Sequence, residues 1–380
     1  MHLELSEEHE CLRQTVRSFA EKEIRPRAAE IDRERRFPVE NVHQCAEMNF
    51  MGVSVPREYG GGGLDRLSYC IVIEELSRVC ASTGVIVSVN NSLVCAPLHV
   101  FGSEQQKRQY LEPLARGERL GCFALTEPGA GSDAAGLQAR AERHGDHYIL
   151  RGSKVFVTNG VAADTALVFA STDPDKKHRG ISAFIVERNF PGFNAGREDR
   201  MLGVTASGSL EIVLDGCRVP AANLLGSEGE GWRIALSALD NGRVGIAAQA
   251  VGLAQGVLDE AVRYSQQRVQ FGKPISDFQA IQWMISDIAT ETEAARMLTY
   301  RAAWAQQHQE RFTYEASMAK LFASEAAMRA ATKGVQILGG YGYLSDYPME
   351  RFFRDAKATE IYEGTSEIQR LLIAEHLLVE

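Results

Sequence analysis

The chain reads as an α+β protein in three parts: an N-terminal α-helical domain (residues 1–120), a middle antiparallel β-domain (121–230) and a C-terminal helical bundle (231–380). Glycine and proline mark the divisions. No glycine occurs from Met1 to Asn49, residues 121 to 231 hold 16 of the 34 glycines, and neither residue occurs from Ile275 to Lys333. Helix interiors exclude both, whereas short strands need them at their turns. A length of 380 residues also calls for two or three domains.

In the first part, Leu5 to Arg25 has a charged amphipathic pattern that predicts a helix ended by Pro26. A loop follows, from Val55-Pro56 through Gly60-Gly61-Gly62-Gly63. Ser68 to Cys80 and Val87 to Phe101, rich in Leu, Ile and Val, predict two more helices, and Ser103 caps a helix restart at Glu104-Gln105-Gln106. The middle part offers six short strands: Cys122–Thr126, Tyr148–Leu150, Lys154–Thr158, Ala166–Ser171, Ile181–Val186 and Leu210–Leu214, with Arg151-Gly152-Ser153 as a hairpin turn. After Gly231, the residues Val244, Ala247, Val251, Ala254, Leu258 and Ala261 recur three and four apart and line one helix face. Ile275 to Lys333 is long enough for two helices that turn in the polar stretch near His308 to Thr313.

Composition excludes several classes. A net charge of -9 argues against nucleic acid and anionic membrane as partners, since both call for concentrated Lys and Arg. No apolar run reads as long enough for a membrane span, and no charged-then-apolar leader opens the chain. Seven scattered cysteines without a C-x-x-C pair fit a reducing compartment. That favours a bacterial cytoplasm, or a mitochondrial matrix after removal of a transit peptide. His144-Gly145-Asp146-His147 falls in a turn and does not make a metal site. The absence of a G-x-G-x-x-G after a strand and of a Walker A loop leaves Rossmann and P-loop nucleotide binding unsupported.

Five segments carry chemistry. In Glu360-Ile361-Tyr362-Glu363-Gly364-Thr365-Ser366-Glu367, a carboxylate precedes a helix-breaking glycine and two hydroxyl residues suited to cap a following helix. Glu363 would then stand at a helix mouth, beside N–H groups that suit anionic ligands; alone, it reads equally well as a solvated turn carboxylate. Phe123-Ala124-Leu125-Thr126-Glu127-Pro128-Gly129-Ala130-Gly131-Ser132-Asp133 takes a strand into a Pro-Gly turn with exposed backbone, which is either a surface turn or a close approach to a ligand. Phe156-Val157-Thr158 ends a strand and by itself reads as core. Asp240-Asn241-Gly242-Arg243 opens the amphipathic helix, as an N-cap with a surface arginine or as a ligand contact. Arg268-Val269-Gln270-Phe271-Gly272-Lys273-Pro274 with Gln279, and Gln336-Ile337-Leu338-Gly339-Gly340, combine an arginine suited to phosphate with bare backbone.

Taken in this order and over nearly the whole chain, these segments resemble the acyl-CoA dehydrogenase family, most closely its short-chain (butyryl-CoA) branch, to which Ala81 through Leu93 is particularly similar. The resemblance implies a helical domain, a β-domain and a C-terminal four-helix bundle. It implies FAD as cofactor, held by Phe123, Leu125, Thr126, Gly131, Ser132, Phe156, Thr158, Thr365 and Glu367. Arg268, Phe271, Gln279, Gln336, Gly339 and Gly340 would reach the flavin of a neighbouring subunit in a homo-oligomer, usually a tetramer. Phe156 departs from the tryptophan usual in the family and loses an indole N–H. Ser132, Asp240, Arg243 and Gly364 would contact an acyl-CoA thioester. Glu363 would be the catalytic base, and Gly242 rules out the alternative position that some members use.

The implied reaction is α,β-dehydrogenation of a saturated acyl-CoA. The base takes the α-proton, the flavin takes the β-hydride, and electrons pass to an electron-transferring flavoprotein. Burial in an apolar site would raise the carboxyl toward neutrality, and the Glu363 N–H with a ribityl hydroxyl would polarise the thioester carbonyl. Glutaryl-CoA members carry an arginine near Gly84; none occurs from Val79 to Lys107, which disfavours a dicarboxylic substrate. Three other readings stay open: a branched, cyclic or aromatic acyl-CoA, an oxygen-using oxidase on the same fold, and a non-catalytic acyl-CoA or flavin binder.

Overall fold

The computed structural model describes residues 5–378. Its first part is all helix: α1 (Glu7–Phe19), α2 (Arg25–Glu34), α3 (Val39–Glu47), α4 (Arg66–Ser77), α5 (Ala81–Ser88), α6 (Ala96–Phe101), α7 (Glu104–Gln106) and α8 (Glu112–Arg116). Pro26 does not end the first helix, contrary to expectation. Over Ala20–Ile24 the backbone widens to a π turn, and the chain runs on into α2 with Pro26 in the first turn, where a missing N–H costs little. Ser103 caps as expected, in a reciprocal box with Gln106.

A second π segment, Val89–Cys95, joins α5 and α6 into one helix that begins at Ala81 and not at Val87. This 21-residue helix is long and apolar enough to cross a membrane, with a mean hydropathy of 1.5, which corrects the expectation that no such run exists. In the fold it is a core helix, most of its length being buried. Asn90 and Asn91 fix it in place. Asn90 Nδ2 donates to Met51 O at 2.8 Å and Leu114 O at 3.1 Å, and its Oδ1 accepts the Gly121 N–H at 2.9 Å; Asn91 Oδ1 accepts the Val53 N–H at 2.8 Å.

The middle part is a sheet of eight strands: β1 (Gly121–Ala124), β2 (Arg140–His144), β3 (His147–Val157), β4 (Thr165–Ser171), β5 (Ile181–Glu187), β6 (Phe193–Glu198), β7 (Leu210–Pro220) and β8 (Leu224–Leu225). They lie in the order β6-β7-β3-β2-β4-β5-β8, with β1 beside β4. The sheet is mixed and not purely antiparallel, because β1 runs parallel to β4 and β2 meets β4 through one parallel pair. Arg151-Gly152-Ser153 is no hairpin turn either. It lies inside β3, which stays paired with β7 across a register shift after Leu150. Gly152 takes φ 146° there, where a Cβ would press to 2.7 Å from Ala139 Cβ.

The last part comprises α9 (Gly231–Gln267), α10 (Gln279–His308), α11 (Thr313–Leu338), α12 (Met349–Thr359) and α13 (Ser366–Leu378). α9, α10 and α11 pack on one another, α12 closes the bundle against α9 and α11, and α13 lies on α11. Alanines at 295, 302, 316, 319, 323, 326 and 330 are buried at the helix contacts, where small side chains let the axes approach. The core of the first part is continuous with that of the bundle, through α4 and α5 on α9.

Candidate active site

Glu363 occupies a left-handed turn between α12 and α13, with φ 53°, followed by Gly364 at φ 96°. That conformation costs a non-glycine residue roughly 1–2 kcal/mol, so neighbours must hold it. Lys320 Nζ donates to Gly364 O at 2.7 Å, and Gln369 Nε2 donates to the same oxygen at 2.9 Å and to Glu363 O at 3.3 Å. Tyr362 OH donates to Gln249 Oε1 at 2.5 Å on α9. The Ser366 N–H reaches Glu360 O at 3.0 Å, and Thr365 Oγ1 accepts the Ile368 N–H at 3.4 Å at the head of α13. Among the described residues, the N–H groups of Glu363 and Gly364 donate to no acceptor.

The carboxylate itself faces an apolar chamber. Val85, Val89 and Leu93 on one side and Ala238 and Ile246 on the other form a buried cluster on which Phe123 and Tyr362 pack. Glu363 Oε2 is buried and makes no hydrogen bond among the described residues. Gly242 lies directly against it, so that a Cβ there would overlap the carboxylate and stand 2.8 Å from Leu93 Cδ2. Burial pushes the Glu363 carboxyl up to about 8, against the downward pull of Lys320 and Arg243. Asp240 and Arg243 do not open α9; they sit in its third and fourth turns, since the helix begins at Gly231. They are tied together, Arg243 donating to Asp240 at 2.5 Å and Thr313 Oγ1 donating to the other carboxylate oxygen at 2.6 Å. Burial raises the Asp240 carboxyl and lowers the Arg243 guanidinium, and Arg243 Nε is buried without a partner among the described residues.

On the sheet side, Phe123 lies within β1 and packs on Phe169 with ring centroids 5.0 Å apart, which places it between the sheet and the apolar chamber. Leu125 and Thr126 lead into a tight turn closed by paired bonds between Glu127 and Ala130. A buried ion pair underlies it: Lys154 Nζ lies 2.7 Å from Glu127 Oε1 and donates to Leu125 O at 3.0 Å. Glu127 also accepts the N–H groups of Gln138 and Ala139. Gly131 and Ser132 are exposed beyond the turn, and Thr158 is half-buried. Phe156 is not core: it stands 68% exposed with φ 58°, thrown outward where the β3 register shifts between Lys154 and Val157.

The remaining predicted contacts form a separate, outward-facing group. Arg268 stacks its guanidinium 5.3 Å from the Tyr341 ring, on the rim of a cleft of about 260 Å³ lined also by Tyr264 and Tyr347. Phe271 is 95% exposed at the tip of a hairpin, and Gln279, Gln336, Gly339 and Gly340 are exposed as well; Glu367, also exposed, stands apart from them in the first turn of α13 beside Glu363. Among the described residues, no hydrogen bond, ion pair or ring contact joins this group to Thr126, Phe156 or Glu363. The residues present fit FAD. A Cβ added to Gly129, Gly131, Gly339 or Gly340 would meet nothing within 4 Å, so their backbone is open to a ligand. Phe156 offers a free aromatic face, and Arg268 has no carboxylate partner among the described residues.

Lys154, Lys320, Gln249 and Gln369 support the site and were not singled out from the sequence. A signal existed for both lysines. Lys320 falls on the helix face of Ala316, Ala319 and Ala323, and Lys154 shares the alternation of Tyr148 and Leu150 along β3; all are buried.

Three family models match the chain: the acyl-CoA dehydrogenase N-terminal domain over residues 6–118, the middle domain over 122–217 and the C-terminal domain over 229–378. The chain is 50% identical over 374 residues to the short-chain specific acyl-CoA dehydrogenase of Clostridium acetobutylicum, covering 98% of this chain and 99% of that protein. It superposes with TM-score 0.97 and 43% identity on butyryl-CoA dehydrogenase from Megasphaera elsdenii, with all of both chains covered. A chain from a structure of the electron transferring flavoprotein of Acidaminococcus fermentans, solved toward a mechanism of flavin-based electron bifurcation, matches with TM-score 0.99 and 47% identity, again with both chains fully covered.

Proposed function

The chain belongs to the acyl-CoA dehydrogenase family, and on that premise we propose that it converts a saturated short-chain acyl-CoA to the trans-2-enoyl-CoA with Glu363 as the base. It is an FAD-dependent oxidoreductase. The observation that carries the assignment is the Glu363 carboxylate, buried beside Gly242 with its proton affinity raised into the neutral range.

A C–H bond next to a thioester is a weak acid, so its removal needs a base of comparable strength and a stabilised enolate-like carbonyl. The raised Glu363 carboxyl meets the first need. Its own undonated N–H, presented by the left-handed turn, meets the second. The lining of Val85, Val89, Leu93, Ala238 and Ile246 suits a thin apolar acyl chain, and none of these five side chains offers a counter-charge to a distal carboxylate. Gly242 leaves the space between α9 and the turn for the carboxylate. Asp240 and Arg243 stand one helical turn from the chamber as the proposed contacts to the CoA portion. Leu125, Thr126, Phe156 and Thr158 would hold FAD, which when bound would supply the acceptor for the β-hydride.

The short-chain substrate is supported by the Clostridium and Megasphaera relatives, which are named for short-chain and butyryl-CoA substrates. An electron-transferring flavoprotein as electron acceptor is supported by the match to a chain from the Acidaminococcus structure. A homotetramer is supported by the exposed flavin-contact group, which needs a neighbour to meet the rest of the site. Seven free cysteines, six of them buried, support a reducing compartment, and a bacterial cytoplasm is the location proposed.

Glu363→Gln tests the assignment. The variant should stay yellow and bind acyl-CoA, yet leave the flavin oxidised when substrate is added without oxygen. Bleaching at the wild-type rate would sink the role given to Glu363.

A further inference from the structure

Lys320 is a buried cation that the chemistry above leaves unused. It projects from α11 with 0% exposure, and its one hydrogen bond among the described residues runs from Nζ to Gly364 O at 2.7 Å. No carboxylate of the described residues lies within ion-pair distance of it. Taking an ammonium group out of water costs several kcal/mol unless charge or hydrogen bonds offset the loss. A neutral amide could hold a carbonyl equally well, so the hydrogen bond by itself does not account for a lysine.

The charges around Lys320 account for it better. Burial lowers its ammonium to about 8, and Glu363 is the strongest of the groups that oppose this, ahead of Glu360 and Glu367; Arg243 acts with burial. The effect is reciprocal, Lys320 being the first of the two cations that draw the Glu363 carboxyl back down. The other groups facing Glu363 are Arg243 with Asp240 on α9, Tyr69 on α4 and Tyr362 beside it; the two tyrosines are kept neutral by burial. Arg243 is already committed to Asp240. Lys320 is therefore the cation near the base that pairs with no carboxylate of the described residues.

We propose that Lys320 is a positioning residue for Glu363: its ammonium pins the Gly364 carbonyl, so fixing the left-handed turn, and sets a positive charge behind the carboxylate that favours the ionised, proton-accepting form. The proposal rests on Glu363 being the base. It separates two contributions that a pair of substitutions can divide. Lys320→Gln keeps a donor for Gly364 O and removes the charge, whereas Lys320→Met removes both.

The test uses the FAD-loaded oligomer. Infrared difference spectra against a Glu363→Gln counterpart report the protonated carboxyl stretch of Glu363 as a function of pH, without substrate. Stopped-flow reduction of the flavin without oxygen gives the rate. In both variants the Glu363 midpoint should rise by about one pH unit, a tenfold change in its ionisation. Reduction at pH 7 should fall about tenfold in Lys320→Gln and further in Lys320→Met, and raising the pH should restore the Gln variant more fully. An unmoved midpoint in both variants, or Lys320→Met reducing its flavin at the wild-type rate, overturns the proposal. So does a Lys320→Gln chain that fails to fold or to take up FAD, which would make the lysine a requirement of the fold. Failure of the base assignment is seen separately, as flavin bleaching by Glu363→Gln, and leaves the infrared midpoint readable.

Discussion

Gly242 and Glu363 lie more than a hundred residues apart and share one volume. A methyl group on Gly242 would overlap the carboxylate, and Leu93 closes the other direction of escape. Gly242→Ala should therefore displace the base without touching flavin contacts. A misplacement on the order of 1 Å can cost about 100-fold in rate, so the variant should keep its flavin spectrum and its assembly while anaerobic reduction slows by about that factor. Reduction within threefold of wild type would mean that the turn yields freely. At this scale the chemistry-bearing side chains were legible, since glutamate-glycine-threonine-serine and the Pro-Gly turn are unusual strings. The supporting ones were not. Lysine and glutamine read as solvated residues, and Lys320, Lys154, Gln249 and Gln369 become visible as interior groups only when helix and strand faces are followed through them.

Strand β3 gives the flavin-side turn its support. Lys154 is wholly buried, and its partner Glu127 nearly so. Burial alone would raise the Glu127 carboxyl, but Lys154 and the Gln138 and Ala139 N–H groups reverse this and leave it below its ordinary value. Its contribution to stability is thus present above the unfolded value of 4.5 and lost as pH falls through the lower, folded one. Lys154→Met would leave a buried carboxylate without its cation, a change that costs roughly 3–5 kcal/mol. Thermal unfolding should fall accordingly, flavin should be lost more readily, and Lys154→Met combined with Glu127→Gln should recover much of the loss. A single variant as stable as the parent would show the pair to be dispensable. Element boundaries were legible wherever one local signal decided them, as with Ser103 capping α7 or the break between α10 and α11 at residues 309–312. They were misread where tertiary pairing decided. Pro26 is absorbed by a π turn, Gly152 sits within a paired strand, and β2 and β6 owe their existence to their neighbours.

At the scale of the whole molecule, one chain leaves its proposed flavin contacts in two groups. Leu125, Thr126, Phe156 and Thr158 lie on the sheet side of the chamber, whereas Arg268, Phe271, Gln336, Gly339 and Gly340 face outward from the bundle. Phe271 at 95% exposure, Tyr343 at 84% and Trp283 at 65%, near that group in sequence, are large apolar side chains left mostly uncovered by the described residues. Soluble chains rarely leave such side chains uncovered unless a partner buries them. Spacing along one chain does not say which copy supplies a contact, so this division was legible only through the family resemblance, which implies that the Arg268 and Gly339-Gly340 group reaches a neighbouring subunit's flavin. If a neighbour completes the site, assembly and flavin retention are linked by mass action. Phe271→Asp, which puts a charge at the tip of the hairpin, should then lower both the sedimentation coefficient and the FAD content per chain. Arg268→Gln should lower FAD content first and assembly only through that loss, so that added FAD restores the parent's sedimentation, since it removes a proposed phosphate contact and no apolar surface. Diluting the wild-type protein until it dissociates should release flavin over the same concentration range. A Phe271→Asp chain that sediments as a monomer with one FAD still bound would mean that each chain holds its flavin alone, and the outward-facing arginine and glycines would need another ligand.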